Sequence, residues 1–318
     1  MKYFASRVAS LVPTVLLASA GIFLLMRVLP GDVAKMMLIG PEGTGTPRPE
    51  DIAALRAQLG LDRPLAIQYL DWLLGIVRLD VGNSLVTRQP VFTELFRALP
   101  VTLELGLMAT LTSLVISIPL GVVAAVKRGT WMDYAARIFS LAGLSVPTFW
   151  VGMLMILVLV QFFHWTAPLG YAELLDDPVK NMQQLIWPIM ALGYAQAGLV
   201  SRLVRSSLLE VLREDYVRTA RSKGLKESDV IVRHALRNSM LPVITVIGLG
   251  LANIVGGTVI VETVFSLPGV GRLMVDSINK RDYPVVQTAT FIFALVFALA
   301  NLSVDLLYAV LDPRLRLR

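Results

Sequence analysis

The chain has 318 residues, of which 55% are hydrophobic and 16% charged, with a mean hydropathy of +0.68. Soluble domains carry about 25% charged residues, and the apolar excess here falls in blocks of the length that a hydrocarbon layer demands, which excludes a single soluble core. The absence of cysteine excludes disulfides, cysteine metal sites and thiol catalysis, and the net charge of +6 comes without a basic stretch interleaved with aromatics, so it points to cytoplasmic loops and not to nucleic acid.

The first apolar block runs from about Val8 to Leu29, behind Lys2 and Arg7. Ala18-Ser19-Ala20 resembles a signal-peptide cleavage site, but the run continues through Met26 and is long enough to span. Residues 1–29 are therefore read as a retained signal anchor and first transmembrane helix.

From 30 to 100 the chain turns polar. Pro41-Glu42-Gly43-Thr44-Gly45-Thr46-Pro47 is a run of helix breakers. Glu50 and Asp51 open a short helix bearing Ile52, Leu55 and Leu59. Pro64 opens another, with Ile67, Leu70, Leu74 and Val77 at helical spacing beside Tyr69 and Trp72, a pattern suited to a membrane interface. The segment reads as a helical cap outside the bilayer.

Five further blocks follow at about Val101–Val126, Ile138–Phe163, Leu185–Val204, Leu241–Val261 and Val286–Leu311. The fold expected is all-α and integral to the membrane, with six transmembrane helices, a core over 101–311 and a tail over 312–318. With the N-terminus inside, sixteen basic residues fall on cytoplasmic segments and four on the two short external loops. Both termini are therefore placed in the cytoplasm.

The cytoplasmic loop 205–240 is more than a hairpin connection. Leu208, Leu209, Val211, Leu212, Tyr216, Val217 and Ala220 recur within a strongly charged sequence, which predicts two short amphipathic helices. Gly224 is expected to end the first where positive φ is cheap, and Ser228 or Asp229 to cap the second. Such a hairpin between two spans is a lever that can dock on a partner.

Tyr216-Val217-Arg218-Thr219-Ala220-Arg221-Ser222-Lys223-Gly224-Leu225 resembles the EAA-type loop of binding-protein-dependent ABC permeases. With His234-Ala235-Leu236-Arg237-Asn238 and Leu241-Pro242 it is similar to the dipeptide/oligopeptide/nickel permease family. Arg218 stands at the glutamate position and Thr219 and Ala220 at the small positions, departures that fit the peptide-type subgroup. Leu29-Pro30-Gly31-Asp32, Leu59-Gly60-Leu61-Asp62-Arg63-Pro64-Leu65, Gly82-Asn83-Ser84 and Leu99-Pro100-Val101-Thr102-Leu103 resemble further family segments in order. So do the stretch Glu262–Gly271, Val304-Asp305-Leu306-Leu307-Tyr308 and Leu311-Asp312-Pro313-Arg314. The extended external segment resembles that of the B-type subunit.

The resemblance implies a type I ABC importer permease in a bacterial or archaeal plasma (inner) membrane. It implies a homologous second permease as heterodimer partner, two cytoplasmic ABC ATPases and an external solute-binding protein. Asp215, Tyr216, Arg218, Thr219, Ala220, Arg221, Lys223, Gly224 and Leu225 would form the ATPase-docking loop, with Ala220 and Gly224 facing the ATPase groove. The family's substrates include dipeptides, longer peptides, glutathione, nickel complexes and some oligosaccharides.

Other polar residues carry two readings. Glu262, beside Gly256 and Gly257, either lines the pathway or sits at the external interface and bonds the following turn, and the second is preferred. Asn301 and Asp305, four apart in the last span, either contact substrate or join helices by hydrogen bonds, and again the second is preferred. Gly256 and Gly257 suit close helix approach. No catalytic residue is identified, and His164 and His234 lie too far apart in the chain to suggest a metal site. No Gly-Lys dipeptide of a P-loop occurs. The chain is therefore expected to bind no cofactor, with ATP and Mg2+ used by partner ATPases. A secondary transporter is the distant alternative, and it would show intramembrane charges and inverted repeats.

Overall fold

Crossing a bilayer takes roughly 20 apolar residues in a helix. Ala9–Arg27, Val91–Val126, Glu227–Gly250 and Tyr283–Ser303 meet that need by length and composition. The computed structural model describes residues 2–28, 33–39, 47–58 and 60–311; Leu29-Pro30-Gly31-Asp32, the loop over 41–46, Leu59 and the 312–318 tail lie outside these. Among the described residues every regular element is a helix, with one isolated bridge between Asn83 and Pro90.

The six expected spans are not all visible by that measure. The block Ile138–Phe163 is broken into α6 (Trp131–Ser145) and α7 (Thr148–Phe163), which meet at 106°. Pro147 causes the break. It lacks an N–H for the ladder, and its ring pushes the preceding residue out of helical conformation. Val146 is accordingly extended, at φ −92° and ψ 125°. Counting the bent pair as one span gives five. α8 (Pro178–Val211), the expected fourth span, is long enough but insufficiently apolar, since it carries Gln183, Gln184, Gln196, Ser201, Arg202 and Arg205. Leu185, Ala191, Ala197, Val200, Val204 and Leu208 of α8 are fully buried within the protein. A helix surrounded by other helices has no need of a lipid-compatible surface all round.

The chain divides into two compact units, one of residues 1–102 with 268–318 and one of residues 103–267. In the first, α1 (Lys2–Val28) packs along α13 (Tyr283–Leu311), and α2 (Val33–Ile39) on α3 (Pro49–Gln58). The aromatic residues of α4 (Leu65–Val77) fasten it to both long helices. Trp72 meets Phe291 edge-on at 5.8 Å, and Tyr69 meets Phe23 at 5.5 Å. The stripe of Ile67, Leu70, Leu74 and Val77 is exposed. α5 (Val91–Val126) begins well before the expected boundary and runs through Pro100. Its first turns bury Val91, Leu95 and Ala98 against Val270, Val285 and Ala289. Ser84, from the Gly82-Asn83-Ser84 motif, donates to Asp282 at 2.5 Å, and the Leu85 N–H donates to the same carboxylate at 3.1 Å. α12 (Val270–Asn279) is a further amphipathic helix that the sequence reading did not separate from its loop; its first N–H donates to Thr102 Oγ1 at 2.9 Å.

In the second unit α8 packs against α6, α7 and α11 (Arg237–Val264). Lipid tails are as apolar as leucine, so helices in a membrane associate through close contact between small residues. A methyl group at Gly198 would lie 2.6 Å from the Ser140 carbonyl oxygen, and one at Gly193 would lie 2.9 Å from that of Ala109. One at Gly121 would lie 2.6 Å from the Val204 side chain. At Gly256 the same methyl would meet nothing within 4 Å. Gly198→Ala should therefore push α6 off α8 and destabilise the unit by about 1–3 kcal/mol. Gly256→Ala should be neutral or slightly stabilising, because alanine is the better helix former. Thermal unfolding of the two variants in nanodiscs checks this; equal midpoints would contradict the packing account.

Candidate functional site

The candidate site is the hairpin that follows α8. That helix ends at Val211, and the chain turns through Leu212 and Arg213 into α9 (Asp215–Ser222). Asp215 lies in the first turn of α9 and Arg221 in the last, each complementing the helix dipole. Val217 and Ala220 are buried against Leu208, Ala125, Val230 and Ala235. Ala220 thus faces inward, and the expectation that it presents its methyl to an ATPase groove is corrected. At i, i+3 from Val217 it shares the apolar face of α9, whose burial within the chain holds the helix down.

Gly224 has φ +77° and nothing near its missing side chain, while its N–H reaches the Arg221 carbonyl at 2.9 Å. The bend therefore depends on backbone conformation alone. The second arm departs from expectation. Lys226, and neither Ser228 nor Asp229, takes the N-cap position of α10 (Glu227–Asp229), with no side-chain cap. α10 continues through a π-helical stretch, Val230–Leu236, into α11, so the second short helix is the beginning of the next long one. Val230 and Ala235 are five apart, the hydrogen-bonding step of a π-helix, and both are fully buried against α9.

The charged residues of the loop face outward. Arg218 and Lys223 are exposed, as are Tyr216, Thr219 and Leu225. Arg221 forms a two-pronged pair with Glu227 at 2.8 and 3.1 Å across the bend. Hydrogen bonding from Arg221 lowers the Glu227 carboxyl pKa, and the reciprocal bond raises that of Arg221. Both side chains are largely exposed, so this pair orients the bend and adds little stability. The Asn238 side-chain amide donates to the Tyr216 hydroxyl at 2.8 Å, joining two motif residues 22 apart in sequence.

A second anchor escaped the sequence reading. Arg205 donates to both oxygens of Asp133, at 2.8 and 2.9 Å, bridging the start of α6 and the last turns of α8. Asp133 is almost fully buried and also accepts from the Gly129 N–H. Hydrogen bonding from Arg205, partly opposed by desolvation, holds its carboxyl below the ordinary carboxylate range. The one available signal was that Asp133 is the sole carboxylate between Glu104 and Glu173.

The remaining candidates lie elsewhere. Glu262 is fully buried near the far end of α11, where its main-chain carbonyl accepts from the Leu267 N–H. A side chain at Gly257 would meet Leu192 at 3.1 Å, whereas Gly256 is exposed. Asn301 is half-buried on α13; the Asp305 side chain lies outside the described residues. Hairpin and Glu262 are separated by the length of α11, about 40 Å for its 28 residues. His164 is the left-handed C-cap of α7, and among the described residues no three potential ligands gather around a metal position.

Residues 117–317 match the family described as binding-protein-dependent transport system inner membrane component, and residues 1–106 match its N-terminal family. The chain belongs to this family. It is an integral, multi-pass inner-membrane permease component, which is not the catalytic part of such a system. A protein named as a peptide transport system permease in Brucella abortus (strain 2308) is 40% identical over 310 residues, 98% of this chain and 97% of that one. A glutathione transport system permease protein of Salmonella typhi is 38% identical over 316 residues, 99% of each. Among solved structures, a chain of the MetNI methionine ABC transporter superposes with a TM-score of 0.56 at 17% identity, covering 70% of this chain and 98% of that one. A chain of an amino acid ABC transporter gives 0.51 at 15%, covering 70% and 94%.

Asp133→Asn should leave the Arg205 guanidinium without its counter-charge and cost about 3–5 kcal/mol. The folded-state pKa is depressed, so the pair contributes fully above the unfolded carboxyl value of about 3.9 and is lost as pH falls through the lower folded value. Stability attributable to the pair should thus be flat from pH 8 to about 5 and decline only in acid. Unfolding midpoints of wild type and Asp133→Asn across that range check it; a gap that closes already at pH 6 would contradict the assignment.

Proposed function

We propose that this chain forms half of the translocation pathway of an ATP-driven ABC importer, crossing the membrane six times with both termini in the cytoplasm. The observation that carries the proposal is the hairpin, with the apolar face of α9 locked against the ends of α5 and α8 and against the π-helical stretch that runs into α11, and its charged face free. In this reading Asp215, Tyr216, Arg218, Thr219, Arg221, Lys223 and Leu225, with the bend at Gly224, dock on one of two cytoplasmic ATPases. A homologous permease completes the pathway, and an external solute-binding protein delivers the solute. ATP and Mg2+ belong to the ATPases; this chain binds no cofactor and contributes conformational coupling. Closure of the ATPases would move the hairpin, and α8 and α11 would follow because they share its core.

Peptides are the proposed cargo, supported by the name of the Brucella relative. Glutathione, itself a short peptide, is the second reading, supported by the Salmonella relative.

Gly224→Val should add strain of about 1–2 kcal/mol at the bend and abolish uptake in a normally inserted protein, while Gly224→Asn, which tolerates left-handed backbone, should retain most of it. Uptake and ATPase activity of the assembled complex are the measurements; full uptake by Gly224→Val would sink the coupling role. Orientation is tested separately in this cysteine-free chain. A cysteine at Asp176 should react with an impermeant thiol reagent in intact cells, and one at Lys226 only after permeabilisation. External labelling at Lys226 would overturn the arrangement.

A further inference from the structure

α5, α6 and α8 do not close completely at the end that carries the hairpin. They leave a cavity of about 380 Å3, walled by Leu120, Ala124, Ala136 and Leu141. The serine hydroxyls that reach it, Ser140 and Ser201, bond each other at 2.7 Å. Its charged lining consists of Arg137, Arg202 and Arg205, with no carboxylate. Arg205 is committed to Asp133. Arg137 and Arg202 are exposed and make no ion pair among the described residues; the Arg137 guanidinium lies over the Tyr134 ring at 5.8 Å and feels the Asp133 carboxylate only at longer range.

An apolar hollow with two exposed guanidinia outside any ion pair among the described residues fits an amphiphile that has an acyl chain and an anionic head. A free phosphate would satisfy the arginines and leave the apolar wall unfilled, while a neutral lipid would do the reverse. The cytoplasmic leaflet supplies a molecule that does both, and basic pockets between helices on that side suit anionic head groups. We infer that this cavity is a binding site for one anionic phospholipid. Its phosphate lies between Arg137 and Arg202, where guanidinium donors suit phosphate oxygens, and one acyl chain lies along Leu120, Ala124 and Leu141. The head group would then sit beside Arg205, and so beside the anchor that joins α6 to α8.

The test uses the chain in complex with its partner subunits, reconstituted in nanodiscs of phosphatidylcholine with and without phosphatidylglycerol, with bound lipid read by native mass spectrometry. One retained phosphatidylglycerol per chain is expected. The double variant Arg137→Gln/Arg202→Gln should lower its occupancy roughly tenfold or more. Lys127→Gln/Arg128→Gln removes the same charge from the neighbouring turn, outside the cavity lining, and should leave occupancy unchanged. Leu141→Trp fills the wall without altering charge and should also displace the lipid, which keeps the inference testable if the arginine variant fails to fold. Equal loss in both double variants would reduce the effect to diffuse surface attraction and overturn the site. So would equal retention of phosphatidylcholine, displacement by millimolar inorganic phosphate, or a cross-link from a cysteine at Leu141 to another protein subunit.

Discussion

The close approach of α8 to its neighbours is the constraint on which the second unit depends. Burying apolar surface gives helices no preference for one another over lipid, so association requires dense contact and hydrogen bonds. Gly193 and Gly198 bring the backbone of α8 within reach of carbonyl oxygens on α5 and α6 that any side chain would displace. On that contact rest the Ser140–Ser201 hydrogen bond at 2.7 Å and, a turn further on, the Asp133–Arg205 pair. The sequence of α8 is polar for a helix of a membrane protein partly for the same reason, since its small residues and Asn181, Gln184, Ser201 and Ser207 face protein.

This construction continues into the hairpin. Leu208 on the last turns of α8 is fully buried against Val217 and Ala220 of α9 and against Val230 and Ala235 of the π-helical stretch. The hairpin is thus part of one small apolar core with the ends of two long helices. Both turns of the hairpin are closed by main-chain bonds: Arg213 and Glu214 N–H groups donate to the Glu210 and Val211 carbonyls, and at Gly224 the Gly224–Arg221 bond is backed by the Arg221–Glu227 pair. The π-helical segment deepens the coupling. A regular α-helix would turn Val230 and Ala235 to different faces, whereas the wider turn directs both into the core.

What the sequence made legible was local. Hydropathy located the long helices, and Gly224 in a charged, periodic segment marked a bend, because glycine's tolerance of positive φ needs no distant partner to be recognised. Motif residues were visible as a resemblance before their contacts were known; the structure gives Ser84 to Asp282 and Tyr216 to Asn238. The features that were not legible depend on distant partners or on competition between local preferences. Asp133 and Arg205 are 72 residues apart, and nothing near either one announces the other. Pro147 sits inside an unbroken apolar run, so hydropathy joined what backbone sterics separate. Pro100 does the opposite, staying within a continuous helix where a boundary was expected, since a neighbouring turn can take up what a proline leaves unpaired. The resemblance places Ala220 on the docking face, while its i, i+3 spacing from Val217 suits the apolar face equally well, and only the position of α9 decides between the two.

The seams of α8 are unequal, and their difference has a direction. Against α6 the helix has glycine contacts, a serine pair and an ion pair. Against α11 it is tied near the hairpin, where Ser207 donates to the Ser239 carbonyl at 2.9 Å and Val200 and Val204 pack on Val243. Further along, Gln196 abuts Gly250, which leaves room for its amide, and both polar atoms of that amide are buried with no hydrogen-bond partner among the described residues. An unpaired amide in an apolar interior costs about 1–3 kcal/mol, so this part of the α8–α11 seam is held less firmly than the part beside the hairpin. A relative motion of the two helices that pivoted at the hairpin end and opened at Gln196 would break the fewest of the contacts between described residues. That geometry would turn a small displacement at the hairpin end into a larger one further along α11, while the Ser140–Ser201 bond and the Asp133–Arg205 pair hold α6 to α8.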